Sequence, residues 1–151
     1  MDVANHDLGE IAAGLVEQMS EDAGKAQCEF RLKIETGVMV RCDRFRIEQA
    51  ILNVLSNALK YAPGNPVALI VGRDGAHGVM MVEDRGVGID PDALTRIFNR
   101  FERADSQSAG LGLGLYIARE IVTQHGGTIR AERREGGGSR FCITMPLSIM
   151  P

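Results

Sequence analysis

Between Asp7 and Glu21 the apolar residues Leu8, Ile11, Ala12, Leu15, Val16 and Met19 recur at helical spacing, which predicts an amphipathic helix packed by one face. Residues 29–35 then alternate polar and apolar at period two, Gly37 supplies a turn, and Val38 to Cys42 reads as a second strand, so a hairpin of short strands is expected. From Asp43, a plausible N-cap, a long helix runs to about Tyr61 with Ile47, Ala50, Ile51, Val54, Leu55 and Ala58 as its buried stripe. Pro63-Gly64-Asn65-Pro66 stops it.

Residues 66–73 and 78–84 are rich in β-branched side chains and flank a turn composition, Asp74-Gly75-Ala76-His77, which predicts an antiparallel pair. Asp90-Pro91 opens a short helix through Ile97, and residues 99–110 are polar and irregular. Leu113 to His125 is helical in period and closes on Gly126-Gly127, followed by strands over residues 128–133 and 140–145. Hairpins interleaved with three larger helices, without regular βαβ alternation, predict an α+β two-layer sandwich with helices on one face of the sheet.

At 151 residues, 44% hydrophobic and 25% charged, the chain has the size and composition of one soluble globular domain. Seventeen basic against 20 acidic residues, net charge −3, give no footprint for nucleic acid or for direct contact with an anionic membrane. Cys28, Cys42 and Cys142 lack the short spacings of a metal site or disulfide framework, so buried thiols in a reducing, cytoplasmic compartment are expected. No apolar run reaches the roughly 20 residues of a membrane helix, and an anchor of any parent protein would lie outside this chain.

Gly, at 18 residues, is above its usual share of about 7%. Two clusters stand apart from the turns. Asp84-Arg-Gly86-Val-Gly88-Ile89 follows a strand and lets backbone come close to a ligand, although such a pattern also occurs in ordinary turns. Gly110-Leu111-Gly112-Leu113-Gly114-Leu115 feeds a helix N-terminus, an arrangement suited to phosphate or to a hinge, and is neither a Walker loop nor a dinucleotide fingerprint. On the long helix Asn53, Asn57 and Lys60 project from one side, with Tyr61 beside them. Asparagine is poor in helix interiors, its carbonyl suits Mg²⁺, and lysine supplies a point charge for phosphate.

Asn53-Val-Leu-Ser-Asn57-Ala-Leu-Lys60-Tyr61, the Asp84 to Ile89 segment, Ile97-Phe98-Asn-Arg-Phe101 and the Gly110 to Leu115 segment resemble, in order, the N, G1, F and G2 boxes of sensor histidine kinases. The resemblance covers about residues 7–146 and implies the Bergerat ATP-binding fold, a mixed sheet covered on one face by three helices, shared with type II topoisomerases, Hsp90 and mismatch-repair ATPases. By this resemblance Asp84 accepts from the adenine amine, Gly86 and Gly88 let the chain pass the base, Ile89 joins that wall, and Tyr61 lines the ring. Asn57 coordinates Mg²⁺, Asn53 and Lys60 face the phosphates and assist transfer, and Gly110 to Leu115 bring backbone amides to the triphosphate. Residues 99–110 become the ATP lid, with Phe98 and Phe101 as anchors and Arg100 or Arg103 reaching phosphate. Leu111 stands where many relatives carry a hydroxyl residue.

Two absences refine this expectation. Self-contained ATPases and anti-sigma serine kinases of the fold usually carry glutamate four residues before the metal-binding asparagine; here it is Asn53, which takes no proton. His6-Asp7-Leu8 resembles the start of an H box without its proline-containing continuation, and His77 and His125 read as surface histidines. The chain is therefore expected to bind Mg-ATP and to donate the γ-phosphate to a histidine on its kinase's own dimerisation domain, for onward transfer to a response regulator receiver domain. An anti-sigma-type serine kinase, a stand-alone ATPase and a non-catalytic ATP-sensing module are the alternatives on the same fold.

Overall fold

The structure, a computed structural model, describes residues 1–94, 96–99 and 113–148. The elements are β1 (Val3–Asp7), α1 (Leu8–Gln18), α2 (Ser20–Lys25), β2 (Phe30–Ile34), β3 (Met39–Asp43), α3 (Arg44–Tyr61), β4 (Val67–Asp74), β5 (His77–Glu83), α4 (Gly114–Gln124), β6 (Thr128–Arg133) and β7 (Ser139–Pro146). A single 3₁₀ turn over Pro91–Ala93, capped by the Asp90 side chain, stands where a short helix to Ile97 is expected.

The α3 expectation holds. The Asp43 carboxylate accepts from Arg46 N at 3.3 Å as N-cap, and all six residues of the stripe are buried. The hairpin expectation for residues 29–42 does not hold. β2 pairs parallel with β4, and β3 pairs antiparallel with β1, a strand the hydrophobic pattern does not announce. The cause is topological: α3 crosses over between β2 and β4, and a crossover of that length delivers the next strand parallel. Asp7 fixes the branch point, one oxygen capping α1 at Gly9 N (2.8 Å), the other accepting from Gly37 N (3.1 Å) in the β2–β3 turn.

The main sheet has the order β2-β4-β5-β7-β6, antiparallel except for β2-β4, so it is mixed as expected. Its inner face, carrying Leu69, Val71, Met80, Val82, Phe141 and Met145, is buried with the stripes of α1, α3 and α4 in one core. This is the two-layer α+β sandwich. Among the described residues no helix is long and apolar enough to cross a membrane. Cys42 and Cys142 are buried, Cys28 is half-buried, and all three are free thiols.

Candidate functional site

The end of β5 brings a carboxylate into the interior: Asp84 is only 2% exposed. Such burial requires donors, and three are supplied. Gly86 N donates to Oδ1 at 2.9 Å, Ser139 N to Oδ1 at 3.3 Å, and the Ser139 hydroxyl to Oδ2 at 2.9 Å. Leaving such a group unsatisfied costs about 1–3 kcal/mol or more, so the network fixes the orientation of the carboxylate. Arg134 Nη1 donates to the Asp84 carbonyl at 3.0 Å and ties the β6–β7 turn to the same point.

The backbone around Asp84 is close-packed. A Cβ on Gly86 would overlap the Tyr61 carbonyl and crowd Ala62, and one on Gly138 would overlap the Asp84 carbonyl. Gly88 and Gly138 also have positive φ, +78° and +91°. The loop after β5 thus lies directly on the C-terminal end of α3, and Ile89 is buried beneath it. Phe98 is buried edge-on against Phe141, with ring centroids 6.1 Å apart.

Along α3 from that junction, Tyr61 is half-buried, with the Lys60 ammonium 5.5 Å from its ring centroid. One turn back, Asn57 is half-buried and its carboxamide makes no hydrogen bond among the described residues. A hard, neutral carbonyl oxygen left unengaged fits Mg²⁺, provided that phosphate oxygens and water complete the shell. No group of three or more His, Cys, Asp or Glu that could hold a metal occurs among the described residues, consistent with that division of labour. A further turn back, Asn53 Nδ2 donates to Gly114 O at 2.9 Å and joins α3 to the first residue of α4. From Asn53 to Tyr61 the helix rises about 12 Å.

The loop that carries Asp84, Gly86, Gly88 and Ile89 therefore meets α3 at Tyr61, and the start of α4, with Gly114 between half-buried Leu113 and Leu115, meets it at Asn53, with Asn57 and Lys60 between the two junctions. Arg100, Phe101, Arg103, Gly110, Leu111 and Gly112 lie outside the described residues, as do all lid positions except Asn99. Ser139, Arg134 and Gly138 fall between the strands that the sequence predicts at 128–133 and 140–145 and are not among its candidate site residues. The signal for them is a run of three glycines, more than a hairpin needs, running directly into a polar residue that opens a buried strand.

His125 is half-buried and is bonded through both ring nitrogens, which a merely exposed histidine is not: Nε2 accepts from Asp43 N at 3.1 Å and Nδ1 lies 2.7 Å from Ile121 O. His77 is exposed and His6 half-buried.

Residues 42–149 match the family of histidine kinase-, DNA gyrase B-, and HSP90-like ATPases. The chain is 34% identical over 148 residues, 95% of its length, to the sensor-like histidine kinase SenX3 of Mycobacterium tuberculosis, of which it spans only 36%. The mycobacterial sensor histidine kinase MprB superposes with a TM-score of 0.86 at 28% identity, covering 99% of this chain and 100% of that one. Full-length ShkA, solved in complex with AMPPNP, superposes with a TM-score of 0.87 at 29% identity, covering 98% of this chain and 32% of that one.

Proposed function

The chain belongs to the histidine kinase-, DNA gyrase B-, and HSP90-like ATPase family, and we propose that it is the catalytic and ATP-binding domain of a sensor histidine kinase. The observation that carries this reading is the buried, triply bonded Asp84 at one end of a polar track that ends at Asn53 and Gly114. A carboxylate held by donors on its inner side offers its remaining lone pairs to an amino group, which is what the adenine edge presents. Tyr61 lines the base, Ile89 and Phe98 close the apolar wall behind it, and Gly86 and Gly88 let the backbone pass.

At the other end Asn57 holds Mg²⁺, which when bound neutralises charge on the phosphates. Lys60 and Asn53 orient the same phosphates, which the backbone amides of Gly110 to Leu115 and the Arg103 side chain also bind. Phosphoryl transfer asks little covalent work of the protein, so this domain positions the γ-phosphate for a histidine on the dimerisation domain of its own kinase. A receiver domain then takes the phosphoryl group from that histidine. On this reading residues 1–151 are one unit with its core at about 7–146 and its lid at 99–110, working in the cytoplasm.

Calorimetric titration tests the binding half. Mg-ATP binds the parent chain and fails to bind Asn57→Ala with its fold intact by circular dichroism; retained affinity refutes the site. Labelled ATP tests the transfer half: phosphate appears on the histidine of the added dimerisation domain, while substantial turnover by the chain alone would favour a self-contained ATPase.

A further inference from the structure

The five-stranded sheet has a second face. In β4 residues 67–71 (Val-Ala-Leu-Ile-Val) and in β5 residues 79–82 (Val-Met-Met-Val) are continuously apolar. A sheet with one wet face shows alternation, and uninterrupted apolar strands belong to sheets covered on both faces. Here α1, α3 and α4 cover only the inner face, and no described element lies against the outer one. Ala68, Ile70, Val79 and Met81 are left half-buried on it, and the last three line, with Cys142 and Thr144 of β7, a hollow of about 470 Å³.

We propose that this outer face is a docking surface for an amphipathic helix with acidic residues along both flanks. The register sets the shape. Ile70, Met81 and Cys142 lie in one row across β4, β5 and β7, with Lys33 of β2 at one end and Arg130 of β6 at the other. Three strands about 4.8 Å apart make an apolar strip about 10 Å wide, the diameter of one helix. Charge sets the flanks. Arg140 pairs with both Glu83 and Glu132, Arg73 with Glu35, and Arg31 with Glu29. Lys33 and Arg130 have no ion partner among the described residues. Arg73, Asp74 and His77 line the end of the same hollow at the β4–β5 turn, beyond the row that carries Lys33 and Arg130. A helix resting on the strip would be bracketed by two free cations, which select carboxylates on its flanks. A second copy of the chain would set cations against cations.

The probe is a synthetic 18-residue helix-forming peptide with leucine on one face and glutamate on both flanks, titrated into the isotope-labelled chain beside its lysine-flanked counterpart. The glutamate peptide shifts the Ile70 and Met81 methyl signals, and Met81→Glu or Arg130→Glu weakens it about tenfold or more with Mg-ATP affinity unchanged. Arg130 is an exposed edge residue, so that variant carries the test should Met81→Glu fail to fold. Unmoved methyl signals, equal binding of the lysine peptide, or unchanged affinity in the folded variants overturns the proposal. So does movement of the same signals with chain concentration alone, or with phosphatidylglycerol vesicles in place of peptide.

Discussion

Asp84 gains its orientation from residues far away in sequence, and that dependence is measurable. Ser139→Ala removes the hydroxyl donor to Oδ2 and is expected to destabilise the apo chain by about 1–3 kcal/mol in denaturant titrations, because the carboxylate stays buried. The glycines separate by mechanism. Gly138→Ala combines positive φ with overlap on the Asp84 carbonyl and is expected to cost more than about 1 kcal/mol. Gly114→Ala meets only Asn53 atoms at 3.9 Å and is expected to lie within about 0.5 kcal/mol of the parent. Cys42 gives a pH prediction. Burial first, then the neighbouring Asp43, pushes its thiol up from 9.0 to about 11. Between those values the unfolded chain releases the proton and the folded chain keeps it, so stability declines as pH rises, and Cys42→Ala flattens the decline. The Asn53, Asn57, Lys60 and Asp84 positions were visible as candidates in the sequence because their chemistry is unusual where it stands. Ser139 and Gly138 were not, because their role exists only once β7 lies beside β5.

Among the elements, α4 is fastened to α3 at both of its ends. Asn53 holds the first residue of α4 and His125 holds the N-cap residue of α3. His125→Ala leaves the Asp43 N–H without its acceptor and is expected to lower the thermal midpoint by a few degrees in scanning calorimetry, with Mg-ATP affinity preserved. The Asp43 carboxyl is itself held below its ordinary range, by the backbone N–H of Asp2 first and that of Arg46 after it. Its capping contribution is therefore complete above about pH 4 and is lost as pH falls through the lowered value. Stability differences between parent and Asp43→Ala should vanish at more acidic pH. Helix periodicity located α1, α3 and α4, since each buries a stripe of its own. Strand partnership was not legible for residues 29–42, because alternation marks a strand and not its neighbour, and the Asp7 clamp that separates β2 from β3 is a long-range contact.

At the scale of the molecule, hydrophobic pattern and turn chemistry were enough for a two-layer sandwich, because one sheet and three amphipathic helices have few other ways to cover apolar faces. The same pattern left the outer face of β4 and β5 unexplained. The strand order has a temporal reading as well. Asp84 ends the third strand of the sheet to be made, yet two of its three donors arrive with Ser139 at the start of the last. A chain emerging from the ribosome therefore carries the Asp84 carboxylate in water through some 50 further residues of synthesis. On the proposed function, nucleotide affinity is acquired only once β7 docks, so a half-folded copy does not compete for ATP.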